Sequence, residues 1–368
     1  MNSAQIAFVL GTRPEIIKLA PVIHECERRG FDTHVIHTGQ HYSESLDEVF
    51  FEQLELDSPE VNLSVGSGTH GEQTGKMLIG IEQELLATDP DVLFVQGDTN
   101  STFAGAISGA KLDLDLAHVE AGLRSFDREM PEEVNRVAVD HLADYLFAPT
   151  DETAQLLRRE GVSSDAIEVT GNTVVDSLRA CQSRAASTST VLRDLRLSED
   201  EFYLLTAHRE ENVDDPERFE NLIEGVGEFA TATGKDVVYP IHPRAKERLK
   251  EFELAVPEPI QVIDPLGFID FLRLESTASL VFTDSGGVQE EACVLGTPCV
   301  TLRYGTERPE TAFVGANCIA GLQPDDIVEA ARQMHGKSGH WEVPFGDGDA
   351  AERIVNVIDS KLKRSHPT

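Results

Sequence analysis

The segment TDSGGVQEEA at residues 283–292 places a serine, two glycines and two glutamates within seven residues. A strand is predicted to end here and a helix to begin at about Val288, which makes residues 285–287 a turn at the helix N-terminus. Such a turn directs backbone N–H groups and the positive end of the helix dipole at one point, which favours phosphate. Glu291 shares a helical face with Gly287 and is expected to accept hydrogen bonds from ribose hydroxyls. Glu290 is expected to point elsewhere, either as a favourable first-turn acid or packed against another loop.

Basic side chains follow other predicted strands and could neutralise such a ligand. In GTRPEIIKLAP, Arg13 stands at a helix start and Lys18 lies one turn further on the same side. We interpret this pair as an anion clamp, with a charged surface helix start as the alternative. His208 and His242 each follow an apolar strand, which indicates phosphate or base contacts, with a structural role as the alternative. Neither histidine has the i, i+4 partner of a helical zinc site, so no metal is expected.

Three carboxylates of the first half could perform acid–base chemistry. Asp98 and Glu120 end neighbouring apolar strands, and Glu132 opens a helix after Pro131. Carboxylates that share a cleft can have their pKa values pushed apart, so that one site contains both an acid and a base. Asp98 could instead cap a helix and Glu132 could be an ordinary first-turn acid, whereas Glu120 has no evident structural role.

Short apolar runs alternate with helical patterns along the whole chain. Strands are predicted at IAFVL, THVIH, DVLFV, LAHV, YLFAP and IEVTG in the first half, and at FYLLT, DVVYP, IQVID, SLVFT, PCVTL and NCIAG in the second. The helices predicted between them include Pro14–Arg29, Gly75–Ala87, Pro131–Ala143, Pro216–Thr231 and Val288–Leu295. Near-continuous apolar strands with helical crossovers predict an α/β protein of two Rossmann-like, doubly wound domains in tandem.

The break between the two domains is predicted in Leu178–Thr190, where small polar residues interrupt the pattern. The last helix, Ala350–Lys363, could pack on either domain. In open α/β sheets, ligands bind outside the carboxyl ends of the strands, where the strand order reverses. Two such domains with facing carboxyl edges would therefore enclose a central cleft lined by the polar loops.

The overall charge argues against nucleic acid as a partner. Asp and Glu total 65 against 31 Lys and Arg, which gives a net charge of −34. The acids are spread over predicted helix faces, a pattern typical of salt-adapted surfaces on which high ionic strength screens the repulsion. Duplex binding requires the opposite charge, because phosphates must be neutralised.

The apolar runs and the cysteines indicate a cytoplasmic protein. No run approaches the roughly 20 residues that span a bilayer, and the first residues lack a charged-then-apolar leader, so no membrane association is expected. The five cysteines form no C-x-x-C pair and are odd in number, so buried free thiols are expected at Cys26, Cys181, Cys293, Cys299 and Cys318.

One glycine pattern suggests a dinucleotide cofactor, and we interpret it otherwise. VGSGTHG at Val65–Gly71 matches G-x-G-x-x-G. The preceding VNLSV is a weak strand and does not belong to the first βα unit. A loop near the cleft is therefore the favoured interpretation.

Ten motifs in order resemble one known family. They are GTRPEIIKLAPVI, TGQHY, GDTNST, HVEAGLRS, MPEEVNR, TGNTVVDSL, TAHREEN, YPIHP, TDSGGVQEEA and LR…TERPE, and they span about residues 6–360. They are similar to the non-hydrolysing UDP-N-acetylglucosamine 2-epimerases, which have the glycosyltransferase-B type of fold. The resemblance implies interconversion of UDP-N-acetylglucosamine and UDP-N-acetylmannosamine without NAD or another cofactor, by a homodimer. It also implies that the final helix crosses back, giving domains of residues 1–175 with 351–368, and 176–350.

The resemblance also implies roles for individual residues. The acid–base carboxylates correspond to Asp98, Glu120 and Glu132, and the catalytic histidine to His208, although Ala207 replaces the usual glycine. The UDP contacts correspond to Arg13, His242, Ser285, Gly286, Gly287 and Glu291, with Lys18 close to the reacting sugar. Bacterial members have a second, activating substrate site near AQH and a later Arg-Gln. The corresponding stretches here read TGQHY and GEQTG, so a second site near Gln40, His41 and Gln73 is left open.

The chemistry of the implied reaction requires three kinds of group. C2 of the sugar carries no carbonyl, so proton loss has to be coupled to departure of UDP across C1–C2, giving a glycal. A base near C2, stabilisation of the leaving diphosphate and an acid on the opposite face are needed. The first-half carboxylates supply the acid and base, and Arg13, His208 and the glycine turn supply the charge stabilisation. Domain closure would hold the glycal and UDP together.

Four other functions are alternatives. A hydrolysing epimerase would release free N-acetylmannosamine, a glycosyltransferase of the same fold would need an acceptor, and a UDP-sugar sensor would bind without exchange at C2. A nicotinamide oxidoreductase would have to use the Val65–Gly71 glycines.

Overall fold

The computed structural model describes residues 3–40 and 44–365. The chain divides into two compact units, and the first contains the described residues up to Ser177 and from Phe345 onwards. The second unit is Leu178–Pro344. The boundary between the units falls within one helix, Thr173–Thr188, so the predicted break at Leu178–Thr190 is largely helical.

The first unit contains a seven-stranded parallel sheet. Its strands in chain order are β1 Gln5–Leu10, β2 Asp32–His37, β3 Val61–Asn62, β4 Val92–Gln96, β5 Asp115–Val119, β6 Tyr145–Ala148 and β7 Ile167–Val169. Their order in space is β3-β2-β1-β4-β5-β6-β7. The helices of this unit are α1 Arg13–Arg28, α2 Glu44–Gln53, α3 His70–Thr88, α4 Asn100–Lys111, α5 Pro131–Asp140, α6 Asp151–Arg159, α7 Thr173–Thr188 (which continues into the second unit) and, at the end of the chain, α16 Ala350–Ser365.

The second unit contains a six-stranded parallel sheet of the same kind. Its strands are β8 Phe202–Thr206, β9 Asp236–Pro240, β10 Ile260–Ile263, β11 Leu280–Thr283, β12 Cys299–Thr301 and β13 Asn317–Ile319, in the spatial order β10-β9-β8-β11-β12-β13. Its helices are α8 Val191–Asp194, α9 Glu210–Val213, α10 Pro216–Thr233, α11 Pro243–Glu251, α12 Phe268–Thr277, α13 Gly286–Leu295, α14 Pro309–Phe313 and α15 Pro324–Met334.

Every strand predicted from the sequence is present. The central strands β1, β4, β8 and β11 are apolar runs buried on both faces of the sheet, whereas the edge strands β7 and β10 are partly exposed. The weak strand VNLSV contributes only the two-residue edge strand β3. Aromatic rings extend the core across neighbouring strands: Phe8 and Phe94 stack with ring centroids 5.1 Å apart, and Phe94 stacks on Phe147. In the second unit, Tyr203 and Phe282 pack edge to face at 6.0 Å.

Some helices begin earlier than predicted. Helix α3 begins at His70 rather than Gly75, because Thr69 and Glu72 form a reciprocal capping box that satisfies the first N–H groups. Helix α13 begins at Gly286 rather than Val288. Polar and glycine residues carry little hydrophobic periodicity, so the first turn is difficult to predict from apolar spacing.

The strand order of each sheet reverses at a defined point. Sequential connections run outward from β1 to β2 in one direction and from β4 to β7 in the other, and likewise from β8 and β11 in the second unit. Ligands in doubly wound folds bind outside the carboxyl ends of the strands at this point. The polar loops after β1 and β4, and after β8 and β11, therefore lie at the expected ligand edge of each sheet.

Helix α16 packs against α1 of the first unit. Asp176 of α7 accepts hydrogen bonds from the backbone N–H groups of Ala350 and Ala351, at 3.3 and 2.9 Å. Burial raises the pKa of Asp176, and these hydrogen bonds oppose the increase. Arg353 donates to the carbonyl of Thr170 at 3.1 Å. The Asp176 side chain therefore caps the last helix from a distant part of the sequence.

The cysteines and the lengths of the helices can be compared with the composition. All five cysteines are free; four are buried, as predicted, whereas Cys318 is half-buried. Burial raises the pKa of the Cys26 thiol to about 12, so it is inert as a nucleophile at neutral pH. Among the helices in the described part of the chain, none has the length and apolar character needed to cross a membrane.

Replacing Asp176 with Ala should lower the free energy of unfolding by about 1–2 kcal/mol, because it leaves the first N–H groups of α16 without their acceptor. Asp176→Asn keeps an acceptor oxygen and should retain most of the stability. Urea unfolding followed by circular dichroism measures both values. Equal stability of Asp176→Ala and the wild-type protein would contradict a capping role.

Candidate active site

The loop after β1 is tied to the loop after β4 by a buried carboxyl. Glu15 accepts hydrogen bonds from Gly11 N–H at 2.9 Å and from the hydroxyls of Thr99 and Thr102, at 2.7 and 3.0 Å. Burial raises the pKa of Glu15, and these hydrogen bonds act against it. Arg13, predicted as an anion ligand, opens α1 and lies over the Phe50 ring at 5.2 Å.

Glu120 is the centre of a buried polar cluster. Lys18 Nζ lies 2.6 Å from Glu120 Oε1, and both side chains are less than a tenth exposed. Gln96 of β4 donates to Glu120 Oε2, and Asn172 Nδ2 lies 3.5 Å from Oε1. The backbone of Glu120 is left-handed, with φ at +69°, a strained conformation that persists only where its surroundings hold it. The cluster therefore holds a carboxylate in one position directly after β5.

Asp98 and Glu132 lie in different environments. Asp98 follows β4 and forms an ion pair with Arg136 of α5. Asn135 donates to the Asp98 carbonyl at 3.0 Å. Glu132 is exposed in the first turn of α5, whereas the next residue, Glu133, is buried and pairs with Arg136 at 3.1 Å. The structure thus places Asp98 and Glu120 after adjacent strands and leaves Glu132 on the surface of unit 1.

In the second unit, the N-terminus of α13 has the predicted arrangement. Ser285 occupies the N-cap position, and Gly286 and Gly287 form the first turn. A Cβ atom added to Gly287 would lie 3.8 Å from both Glu291 Oε1 and Ser285 Oγ. Glu291 therefore leans back toward the helix N-terminus, beside the backbone N–H groups that favour an anion.

Glu290, the residue before Glu291, points into the protein. It is completely buried and forms an ion pair with Arg308, just before α14. Of the two roles considered from the sequence, packing against another loop is the one observed.

The two predicted histidines lie together in the second unit, and an unpredicted aspartate holds one of them. The rings of His208 and His242 have centroids 5.7 Å apart. His208 Nδ1 lies 3.2 Å from Asp284 Oδ1, and Asp284 also accepts from the N–H groups of His208 and Arg209 and from Asn212. Burial acts to raise the pKa of Asp284, but the hydrogen bonds and charge of His208 outweigh it and lower the pKa.

Two further charged residues missed from the sequence border the glycine turn. A Cβ atom on Gly286 would lie 3.7 Å from Glu307 Oε2 and 3.9 Å from Arg209 Nη2. Arg209 and Glu307 pair at 3.7 Å, and Arg303 holds the same glutamate at 2.8 Å. Burial acts to raise the pKa of Glu307, but these guanidinium groups lower it well below its usual range. Arg209 belongs to the motif TAHREEN and Glu307 to the motif TERPE, so both could have been proposed as site residues from the family motifs.

A second site was considered near Gln40, His41 and Gln73, and amide hydrogen bonds join the described residues of this region. Gln73 Nε2 donates to the carbonyls of Gln40 and Gly66, at 3.2 and 2.9 Å, and Asn100 donates to Gln73 Oε1 at 2.8 Å. His41 lies outside the described residues. In Val65–Gly71, Gly66 and Gly68 lie between the edge strand β3 and α3, and Gly71 lies in the first turn of α3, so these glycines do not follow the first strand of the sheet.

The donor groups do not form a metal centre in the part of the chain that is described. No cluster of three or more His, Cys, Asp or Glu side chains suited to a metal ion occurs there.

The fold and site define a two-domain α/β protein. One unit has a carboxylate cluster, and the other has a helix N-terminus suited to binding an anion. The model of the family described as UDP-N-acetylglucosamine 2-epimerase matches residues 24–359. The chain therefore belongs to the UDP-N-acetylglucosamine 2-epimerases, a family of isomerases, as the sequence motifs indicated.

Individual relatives and structures agree with this assignment. UDP-N-acetylglucosamine 2-epimerase of Methanocaldococcus jannaschii is 51% identical over 366 residues, covering 96% of this chain and 98% of the relative. The enzyme of the same name from Methanococcus maripaludis is 46% identical over 365 residues, covering 98% and 99%. The crystal structure of the M. jannaschii enzyme in complex with UDP-GlcNAc and UDP has a TM-score of 0.92, at 51% identity, and covers 97% of this chain and 99% of that one. The predicted two-domain α/β fold class is confirmed.

Asp284→Asn should lower the free energy of unfolding at pH 7 by about 2–4 kcal/mol, because it removes a buried, ionised hydrogen-bond acceptor. The pKa of Asp284 is lowered in the folded state, so its contribution is complete above the ordinary value of 3.8 and is lost as the pH falls through the lowered value. The difference between the variant and the wild-type protein should therefore shrink below pH 3.8. Urea unfolding of both proteins at pH 7 and about pH 3 measures this difference in the free energy of unfolding.

The exposed Asp236→Asn is the matched control, expected to stay within about 0.5 kcal/mol of the wild-type protein. A stability difference for Asp284→Asn that did not change with pH would contradict the ionised role.

Proposed function

We propose that this chain interconverts UDP-N-acetylglucosamine and UDP-N-acetylmannosamine without hydrolysis, by eliminating and re-adding UDP through a 2-acetamidoglucal intermediate. Membership of the 2-epimerase family supports the reaction class. The observation that carries the proposal is the buried Glu120 carboxylate, held by Lys18 and Gln96 in a strained turn directly after β5. A carboxylate held in this way suits proton transfer at a carbon atom, which depends on accurate positioning.

The reaction couples three events at the sugar. A carboxylate removes the C2 proton, the electron pair forms the C1–C2 double bond, and the C1–O bond to UDP breaks. Re-addition of UDP at C1, with proton delivery to the opposite face of C2, gives the epimer. None of these steps transfers a hydride, so the mechanism calls for no nicotinamide.

Unit 1 supplies the acid and the base in this proposal. Glu120 and Asp98, which follow adjacent strands, share the proton transfers, and Glu132 assists from α5. Lys18 pairs with the Glu120 carboxylate at 2.6 Å and, in this proposal, lies close to the reacting sugar. Arg13, at the start of α1, is the anion ligand of this unit.

Unit 2 supplies the UDP site. The N–H groups of Gly286 and Gly287, with the Ser285 hydroxyl, bind the diphosphate at the positive end of α13, and Glu291 accepts hydrogen bonds from the ribose. His208, oriented by Asp284, stabilises the charge of the leaving diphosphate. His242 lies beside His208 and completes this group.

The product would enter surface-polysaccharide or glycan-precursor synthesis in the cytoplasm, and the family resemblance supports a homodimer.

Incubation of UDP-N-acetylglucosamine with the protein in deuterated water, followed by proton NMR, tests the function. The expected result is UDP-N-acetylmannosamine with deuterium at C2, together with deuterium exchange into the substrate. Free N-acetylmannosamine and UDP as the products would identify the hydrolysing alternative. Binding without deuterium uptake would identify a UDP-sugar sensor and refute catalysis.

Glu120→Gln should lower kcat by about 10²–10⁴-fold, because the amide cannot accept the C2 proton. The dissociation constant for UDP should stay within about 3-fold of the wild-type value, since the proposed UDP contacts lie mainly in unit 2. Glu152→Gln, an exposed position on α6, is the control and should retain full turnover. Turnover of Glu120→Gln at the wild-type rate would refute the assignment.

The acidic surface should make stability depend on salt. With a net charge of −34, raising potassium chloride from 0.1 to about 2 M shortens the screening length from about 10 Å to below 3 Å and weakens the self-repulsion. We expect the melting temperature to rise by several degrees, whereas sorbitol at equal osmolality should raise it less. A melting temperature that did not respond to potassium chloride would contradict salt adaptation.

A further inference from the structure

His118 has hydrogen-bond acceptors at both ring nitrogens. It lies on β5, two residues before Glu120, and its side chain is completely buried. Its Nδ1 lies 2.8 Å from Oδ1 of Asp140 on α5, and its Nε2 lies 2.9 Å from the carbonyl oxygen of Gly97. A single ring therefore joins β5 to α5 and to the loop after β4.

The chemistry of the two partners determines which atoms donate. A backbone carbonyl has no proton to give, and an ionised carboxylate can only accept. Arg124 Nη1 lies 2.7 Å from Oδ2 of Asp140, and a guanidinium group at this distance favours the ionised carboxylate. A ring that bonds to both acceptors has to donate from both nitrogens, and only the imidazolium form can do so.

The charged groups around His118 alternate in sign. Asp140 Oδ2 lies 2.7 Å from Arg124 Nη1, and Arg124 Nε donates to Glu160 Oε1 at 2.9 Å. With His118 positive, the row His118–Asp140–Arg124–Glu160 contains two positive and two negative charges. Buried charges are tolerated when they are paired and hydrogen-bonded, and this network satisfies both conditions. Asp98, in the loop after β4, forms a separate ion pair with Arg136 of α5.

Two hydrogen bonds of this network, one to His118 and one to Asp140, hold the loops that carry the proposed acid and base. Gly97, whose carbonyl accepts from His118, directly precedes Asp98 and has φ at +75°. Asp140 Oδ2 also accepts from Gly122 N–H at 3.2 Å. Gly122 has φ at +86° and follows the left-handed Glu120 by two residues. Glycine adopts a left-handed backbone without strain, so the residue that needs external restraint is Glu120, and the hydrogen bond from Gly122 to Asp140 holds the chain two residues after it.

We propose that His118 is a positioning residue: its imidazolium ties the loop of Asp98 to α5 and, through Asp140, to the loop of Glu120. The catalytic importance of this link rests on the proposed function. The charge of His118 and the restraint on the two loops are properties of the folded chain alone.

Nitrogen-15 NMR of histidine-labelled protein tests the charge. At pH 7 the wild-type spectrum should contain one residue with both ring nitrogens protonated that is absent from the His118→Gln spectrum. Asp140→Asn keeps the shape of the side chain but removes the negative charge, so the ring of His118 should become neutral, with one nitrogen unprotonated. A neutral His118 in the wild-type protein would overturn the proposal.

Kinetics separate positioning from general stability. His118→Gln can donate to only one of the two acceptor sites at a time, so kcat should fall about 10–100-fold through misplacement of the carboxylates, while KM stays within about 3-fold. Asp144→Asn is the matched control, because Asp144 accepts from Leu116 N–H on the same strand at 3.0 Å without contacting either loop. It should leave kcat unchanged. Wild-type kcat in His118→Gln would refute positioning.

A crystal structure of His118→Gln tests, independently of activity, whether His118 restrains the loops of Asp98 and Glu120. The 2.6 Å contact between Lys18 Nζ and Glu120 Oε1 should lengthen, and an unchanged contact would refute the restraint. If His118→Gln does not fold, the wild-type spectrum and Asp140→Asn still decide the charge, and the kcat of Asp140→Asn decides positioning. If the wild-type protein puts no deuterium into UDP-N-acetylglucosamine, the proposed function fails, whereas the spectrum and the crystal structure still decide the charge and the restraint.

Discussion

A charged carboxylate inside a protein is stable only when other groups replace the water it has lost. Glu120 meets this constraint with partners from three elements: Lys18 from α1, Gln96 from β4 and Asn172 just before α7. The elements have to be in their native positions for the charge to be tolerated, so the fold of the first unit and its candidate chemistry depend on the same contacts. The strained backbone of Glu120 is retained for the same reason.

The second unit meets the same constraint differently. Asp284 is completely buried after β11, and it is stabilised by two backbone N–H groups, the amide of Asn212 and the ring of His208. Backbone donors from the loop after β8 can reach it because β8 and β11 are neighbours at the reversal point of the sheet. The doubly wound topology therefore brings together groups distant in sequence at the edge where such folds bind ligands.

Adjacent acids show how strongly position decides the role of a carboxylate. Glu290 is buried against Arg308, whereas Glu291, one residue later on the helix, lies beside the N-terminal turn of α13. Glu132 and Glu133 differ in a similar way, since the first is exposed and the second is buried against Arg136. In a chain with 65 acidic residues, the burial and partners of a carboxylate identify it better than its residue type.

The strands, the two-domain α/β class and the family could be predicted from the sequence, because apolar runs and motif order are local properties of the chain. The helix starts at His70 and Gly286 could not be predicted, because capping residues and glycines do not contribute to the periodic spacing of apolar residues. The lean of Glu291 toward Gly287 followed from helical geometry alone. Only the tertiary structure paired Lys18 with Glu120, His208 with Asp284 and His118 with Asp140, and these contacts join residues 102, 76 and 22 positions apart. Such pairs depend on strand order and crossover packing, which no single segment encodes.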